Sequence, residues 1–460
     1  MSFQQALSGL NAAGRNLDVI GNNIANANTV GSKVARAEFA DLYAASFSGA
    51  SGGAASVGIG VTTGTVAQQF SQGNITSTQN PMDLAINGGG FFELTDGQNP
   101  PVYSRNGQFK VDKDGFIVNN NHYKLMGYAA DATGTIVPGI AGPIQLPTAG
   151  IAPTATSSMT LEFNVDSRVG RPSGIAAAPA ATPAEERIDT TNPATYNNAT
   201  SATVYDVKGQ PISMTYYFQK VNADTWNVYA TANGQPINGV TGELATAMRP
   251  LATLNYPNTG GNPTANGGGS IDNYTWAAVA AATPAATTNV TNGKLVIPSI
   301  PVVTLSTGGL SEVIPSFTAN LGTVTQYGAA FGVTNFTVTG NAPGSLTGIS
   351  VGSDGVIQAR YSNGQTKASG QIELATFRNP QGLQAMGGNV WTQTPGSGVP
   401  VVNIPGQGNL GILQAGALEE SNVELTAELV NMMTAQRAYQ ANAQTIKTQD
   451  QIMSTLVNLR

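Results

Sequence analysis

The sequence predicts a multidomain α+β chain whose long N- and C-terminal helices form a coiled-coil-like pair, with mainly-β globular domains nested between them. Three observations carry this. Leu418, Leu425, Met432, Tyr439, Ile446 and Met453 recur at intervals of seven, the spacing of a helix whose apolar stripe meets another helix along a seam. Phe3, Leu10, Leu17 and Ile24 repeat that interval at the other end, with Ala6, Ala13, Ile20 and Ala27 in the second seam position. Between the two ends the chain is rich in Gly (55 in all), Pro (25), Thr and Asn, which favours short strands and turns over helix.

The N-terminal helix opens on a capping box, Ser2 with Gln5. Its alanines would let two backbones approach closely. Gly14 and Gly21 each weaken it by about 1 kcal/mol relative to Ala, so packing rather than propensity must hold it. The Asn-rich run from Gly21 to Gly31 should end it, because Asn and Gly tolerate left-handed backbone and self-bonded turns. The C-terminal helix should run from Ser421, capped with Glu424, to Arg460. Glu419, Glu420, Glu424 and Glu428 crowd its start while Lys447 and Arg460 lie late, as the helix dipole prefers. Without an internal Gly or Pro it would reach roughly 55–60 Å. Its second row mixes Leu429 and Val457 with Gln436 and Asp450. One oily face among amides suits a helix with several polar neighbours, and repeated neighbours imply a polymer.

Composition narrows the function. At 460 residues there is ample length for more than one core. Charged residues make up 10%, the formal net charge is −6, and the 20 Lys and Arg form no basic block, so nucleic acid and anionic membrane are poor partners. No apolar run is long enough to span a bilayer, and the N-terminus lacks the basic and apolar regions of a cleavable signal. There is no Cys and a single His, His122, among turn-forming asparagines. Disulfides, thiol nucleophiles and thiolate metal sites are thereby excluded. Gly88-Gly89-Gly90 is followed by Phe91 rather than Lys and Ser/Thr, so it is a bend and not a phosphate loop. Asp112-Lys113-Asp114-Gly115 lacks the later ligands of a calcium loop and is expected as a hairpin turn. The adjacent carboxylates Glu185-Glu186 and Glu419-Glu420 point apart, unlike the opposed pair of a glycosidase. The chain is read as a non-enzyme without cofactor or metal.

The ends also carry longer patterns. Asn16-Leu17-Asp18-Val19-Ile20-Gly21-Asn22-Asn23-Ile24-Ala25-Asn26 with Thr29, Gly31 and Lys33, and Ser421-Asn422-Val423-Glu424-Leu425 through Ala435-Gln436-Arg437 and Tyr439-Gln440, together resemble the paired terminal signatures of the flagellar rod and hook protein family. Ser32 departs from it, standing where the family usually has Phe. Leu84–Phe92 and Tyr103-Ser104-Arg105-Asn106-Gly107 resemble the first globular domain of the hook members, and Asn379, Gly382-Leu383, Gly388-Asn389 and Trp391 the approach to the terminal helix.

On this resemblance the expected domains are 1–30, an axial helix; 31–70, a linker, pliable over Ser46–Gly60; 71–146, the first part of an inner β domain; 147–318, an outer β domain; 319–415, the second part of the inner domain; and 416–460, the second axial helix. A hairpin at Val204–Phe218 turning on Lys208-Gly209, then a strand at Thr225–Tyr229, is read in the outer domain. Residues 255–295 are low-complexity and receive no assignment. Phe39 and Tyr43, four apart, are read as a short helical turn. The family resemblance makes them a candidate export-gate motif.

The resemblance implies a subunit that self-assembles into the hook, a flexible tube acting as a universal joint around an export channel. The seam residues Phe3, Leu10, Leu17, Ile24, Leu425, Met432, Tyr439, Ile446 and Met453 would order only against other copies. Asp at Tyr439 or Ile446 should block assembly and Asp at Asn442 should be mild. Other implied partners are the distal rod protein, the hook–filament junction protein, the hook cap and the type III export apparatus, the chain ending outside the cell. The alternatives are a distal rod protein, which lacks so large a middle insertion, and a monomeric extracellular β-rich adhesin, which leaves the terminal heptads unexplained.

Overall fold

The structure is a computed structural model that describes residues 2–43, 58–131, 133–137, 139, 141–147, 149–174, 188–237, 250–257, 270–273, 290–291, 294–297, 299–305, 308–321 and 324–458. The chain divides into two units, one of Met1–Thr148, Thr347–Arg360 and Thr366–Arg460, the other of Ala149–Leu346 and Tyr361–Gln365. It leaves the first unit, builds the second and returns, so both termini belong to the first.

Helix α1 is Ser2–Ala25 and helix α2 is Leu425–Asn458. α1 ends in the Asn-rich run, where the Asn26 N–H donates to the carbonyls of Asn22 and Asn23, and Gly31 takes φ 71°. α2 starts later than its capping box predicts. The Ser421 hydroxyl accepts from the Val423 N–H rather than from Glu424, because residues before it are committed to β-structure: Ala417–Glu419 pair antiparallel with Ile75–Ser77. Gln5 likewise does not reach back to cap α1; its amide donates to the Gly58 carbonyl at 2.5 Å.

The segment expected as a linker contains a two-stranded antiparallel ribbon, β1 (Ala35–Tyr43) and β2 (Gly58–Gln68), packed beside α1. Residues 46–57 of the expected pliable stretch lie outside the described residues. The β-branched Val and Thr of Val61–Val66 favour extended backbone strongly enough to outweigh Gly64. Phe39 is therefore in a strand, 40% exposed, and not in a helical turn. Tyr43 closes the same strand.

The body of the first unit is a run of strands ordered Leu346–Val351, Val356–Tyr361, Thr366–Ile372, Lys124–Ala129, Phe91–Thr95, Val102–Ser104, Val390–Thr392 and Gln384–Gly387, antiparallel from Val356–Tyr361 onward. Alternation gives each strand two faces. Phe92, Leu94, Leu125, Ile372 and Leu374 enter one core with Phe109 and Leu84, whereas Phe91, Tyr103, Phe377 and Trp391 form an aromatic cluster of edge-on pairs on the other face. Gly88 and Gly90, at φ 119° and 117°, turn the chain between Leu84–Asn87 and Phe91–Thr95. Asp112–Gly115 is a turn between the paired strands Lys110–Val111 and Ile117–Val118, its Asp112 carboxylate accepting from the N–H groups of Asp114 and Phe116.

The second unit has two sheets enclosing a core that includes Phe163, Phe218, Trp226, Leu254, Ile297 and Phe317. The hairpin Asn198–Tyr205 with Pro211–Asn222, and the next strand Thr225–Ala232, follow the predicted meander. Phe317, Ala319, Leu321 and Val324 lie in this core, so the second unit extends to Leu346 and not only to the expected 318. Of the low-complexity 255–295, strands Ser270–Asn273 and Val290–Thr291 are described; Glu185 and Glu186 lie outside the described residues.

Gly14 and Gly21 face open space, with no atom within 4 Å of an added Cβ. Gly14→Ala should therefore stabilise α1 by about 0.5–1 kcal/mol, measured as a raised denaturation midpoint with unchanged far-UV spectrum shape.

Candidate functional site at the base of the terminal helices

The chain has few charges, yet three of them meet in the interior where both helices join the first unit. Lys33 follows α1, Glu419 precedes α2, and Arg105 follows the strand Val102–Ser104. The Lys33 ammonium donates to Glu419 Oε1 at 2.5 Å and to the Ser71 carbonyl at 2.8 Å. Arg105 donates to Glu419 Oε2 at 3.0 Å and to the Gly88 carbonyl at 2.9 Å, with its guanidinium 5.4 Å from the centre of the Phe91 ring. The Gly73 N–H donates to Glu419 Oε1, and the Gly31 N–H to the Glu419 carbonyl. The side chains of Lys33 and Glu419 are sealed from solvent and that of Arg105 nearly so. Burial pulls the Lys33 ammonium and the Arg105 guanidinium below their ordinary ranges, and the Glu419 carboxylate opposes this in both.

Two asparagines complete the joint by standing in for backbone. Asn23, on the last turns of α1, accepts from the Ala35 N–H at 2.9 Å and donates to the Ala35 carbonyl at 2.8 Å and to Glu428 of α2 at 3.4 Å. Asn422 accepts from the Val34 N–H at 2.7 Å and donates to Gln69 and Ser71. Further out, Asn389 donates to the Val30 carbonyl. The N-terminal motif thus divides by role. Asn23, Gly31 and Lys33 are buried in the joint; Asn22, Asn26 and Thr29 bond one another in the turn; Ile24 is half-buried and Ala25 exposed.

The helices run antiparallel: Asn23 meets Glu428, while two heptads back along α1 a Cβ on Gly9 would lie 2.9 Å from the Asn442 amide. The buried line on α1 is the predicted second row, whereas on α2 it is neither predicted row. On α1 Ala6 and Ile20 are buried, Phe3 is 50% exposed, and Leu10 and Leu17 are half-buried. On α2 Glu428 and Ala435 are buried and Asn442 half-buried, whereas Leu425, Tyr439 and Met453 are exposed and Met432 and Ile446 half-buried. Small residues and amides permit the closest backbone approach, which turns the larger apolar row aside. Asn442 is consequently an interhelical contact, not the neutral comparison position expected of it. Leu7, Leu429, Val430, Met433 and Ile452 add to the uncovered apolar surface, and a groove of about 550 Å³ opens between Leu10, Arg15, Val61 and Tyr439.

Sequence reasoning assigned Glu419 to the helix dipole and gave Arg105 no role. The available signal was that Lys33 and Arg105 both sit inside family motifs in a charge-poor chain. Among the described residues no helix is long and apolar enough to cross a membrane.

Four family models match the chain in order: flagella basal body rod protein over residues 3–33, flagellar hook protein FlgE/F/G D1 domain over 85–167, flagellar basal body protein FlaE D2 domain over 164–341, and flagellar basal body rod FlgEFG protein C-terminal over 414–459. The flagellar hook protein FlgE of Escherichia coli (strain K12) is 38% identical over the whole of both chains. That of Rhizobium meliloti (strain 1021) is 30% identical over all of this chain and 98% of its own. Among solved structures, Helicobacter pylori flagellar hook protein FlgE2 overlaps 75% of this chain and all of its own at a TM-score of 0.48 and 12% identity. Full-length agreement with hook proteins does not favour the distal rod and adhesin readings. A chain with two helices rooted in one charged joint, matched end to end by these structural proteins, belongs to the flagellar hook protein family and is a structural subunit of the hook.

Proposed function

We propose that the joint aims α1 and α2 as one unit toward the axis of the hook, where their uncovered apolar rows order against other copies around the export channel. The observation that carries this is the contrast within the first unit. The base of the helix pair is sealed by buried charges and amides, while Leu425, Leu429, Tyr439, Ile452 and Met453 remain exposed along α2. Exposed apolar rows of this extent are covered in a polymer by neighbours, and the free energy of covering them is linked to assembly. On this reading Phe3, Leu10, Leu17, Ile24, Leu425, Met432, Tyr439, Ile446 and Met453 serve contacts between copies. The second unit faces outward, where low-charge surfaces slide as the tube bends.

The wider partners follow from place in the flagellum: the distal rod protein below, the hook–filament junction protein above, the hook cap during growth and the type III apparatus for export to the cell exterior. Phe39 and Tyr43 would serve the export gate while the chain is unfolded. The test is electron microscopy of concentrated protein. Full-length chain should form tubes. A chain ending before Met453 should stay soluble with both β units intact and form none, as should Tyr439→Asp and Ile446→Asp; tubes from the truncated chain would overturn the axial assignment.

A further inference from the structure

We propose that Glu93 and Glu373 form a buried pair sharing one proton, and that losing this proton loosens the sheet of the first unit. The register of Phe91–Thr95 with Leu374–Thr376 pairs Phe92 with Leu374, so the next position sets Glu93 opposite Glu373. Side chains so placed are close neighbours on one sheet face. Alternation directs both away from the core holding Phe92 and Leu374 and toward the face of Phe91, Tyr103 and Trp391. Glu93 is 8% exposed and Glu373 1%, and three carboxylate oxygens of the pair have no hydrogen-bond partner. Two unpaired negative charges cannot both be held in such a place.

Among the described residues no ion pair reaches either carboxylate, and Arg105, over the Phe91 ring on this face, is taken by Glu419. Tyr103 arrives on Val102–Ser104 and is pushed up by burial and then by both carboxylates. Tyr128 arrives on Lys124–Ala129 beside Glu373; burial and then the Glu373 charge push it up, and its hydroxyl in turn holds Glu373 down by less than burial raises it. Lys124 is spent on the Phe116 ring, and Lys367 lies against Gly134. Val401–Asn403 and Val390–Thr392, which extend the sheet, carry no titratable side chain. Burial first, and the charge of Glu93 second, raise Glu373 to about 7; burial raises Glu93 as well.

The sign follows directly. The folded state holds the Glu373 proton more tightly than the unfolded state, so the contribution is fully present below the ordinary carboxylate range and is lost as pH rises through about 7. The inference does not depend on how copies assemble, and it is read on the dilute full-length chain. Thermal unfolding of the first unit should drop by roughly 5–10 °C between pH 5 and pH 8.5. Over the same range amide exchange in Phe91–Thr95 and Leu374–Thr376, corrected for intrinsic rate, should quicken at least tenfold. Glu373→Gln, and separately Glu93→Gln, should flatten both profiles and exceed the original chain at pH 8.5. Equal pH slopes in the original and both variants would overturn the proposal. So would a ¹³C titration of the two carboxylates with both midpoints below 5, a readout that needs no variant. A calcium-dependent rise at pH 8.5 that Glu373→Gln abolishes would replace the proton with a cation and overturn it too.

Discussion

Glu419→Gln should destabilise the first unit by about 3–5 kcal/mol, the range for breaking a buried ion pair by removing one partner. One carboxylate here neutralises two cations, one sealed from solvent and the other nearly so, and it also accepts the Gly73 N–H. The amide keeps the shape but leaves Lys33 and Arg105 as buried unpaired charges. A denaturation midpoint read by hydrogen exchange in Ile75–Ser77 and Ala417–Glu419 would report the loss, because these paired strands hold the joint. A second substitution tests the cause. Lys33→Met added to Glu419→Gln should recover part of the loss, since it removes one of the stranded charges; additive losses would show that packing, not charge, dominates.

Gly31→Ala should cost upwards of about 3 kcal/mol and should weaken the same joint. Gly31 sits at φ 71°, and an added Cβ would lie 2.6 Å from the Asn106 nitrogen and 2.7 Å from the Arg105 carbonyl carbon. These are backbone atoms, so no side-chain rotation relieves the clash. The left-handed conformation adds its own penalty for any residue with a Cβ. Moving Arg105 would draw it from Glu419, so Gly31→Ala and Glu419→Gln should be less than additive in a double-mutant cycle. Gly14→Ala is the contrast on the neighbouring helix: it has a right-handed backbone and free space, and should gain stability.

Much of this fold was legible because periodicity and turn chemistry are local. The Asn-rich stop after α1, the bend at Gly88–Gly90, the turn at Asp112–Gly115 and the strands around Lys208-Gly209 each depend on residues a few positions apart. Errors arose where a distant partner decided the outcome. Ser421 and Glu424 have a valid capping pattern, yet Ala417–Glu419 pairs with Ile75–Ser77, Asn422 serves Val34, and the helix begins at Leu425. Val61–Val66 looked like part of a loose linker until β1 supplied its ladder.

By itself the sequence determined that helices close both ends and that β units fill the middle, from heptad spacing and turn residues, and its long terminal motifs carried the resemblance to the flagellar hook proteins. Only the tertiary structure decided which helix face is buried and which charges matter. On α1 it kept Ala6 and Ile20 of the expected second row, on α2 it buried Ala435, a position in neither expected row, and it brought Lys33, Arg105 and Glu419 together from three distant segments. The physical reason is that helix approach depends on the smallest side chains in the contact, and burial of charge depends on partners that no spacing along the chain encodes.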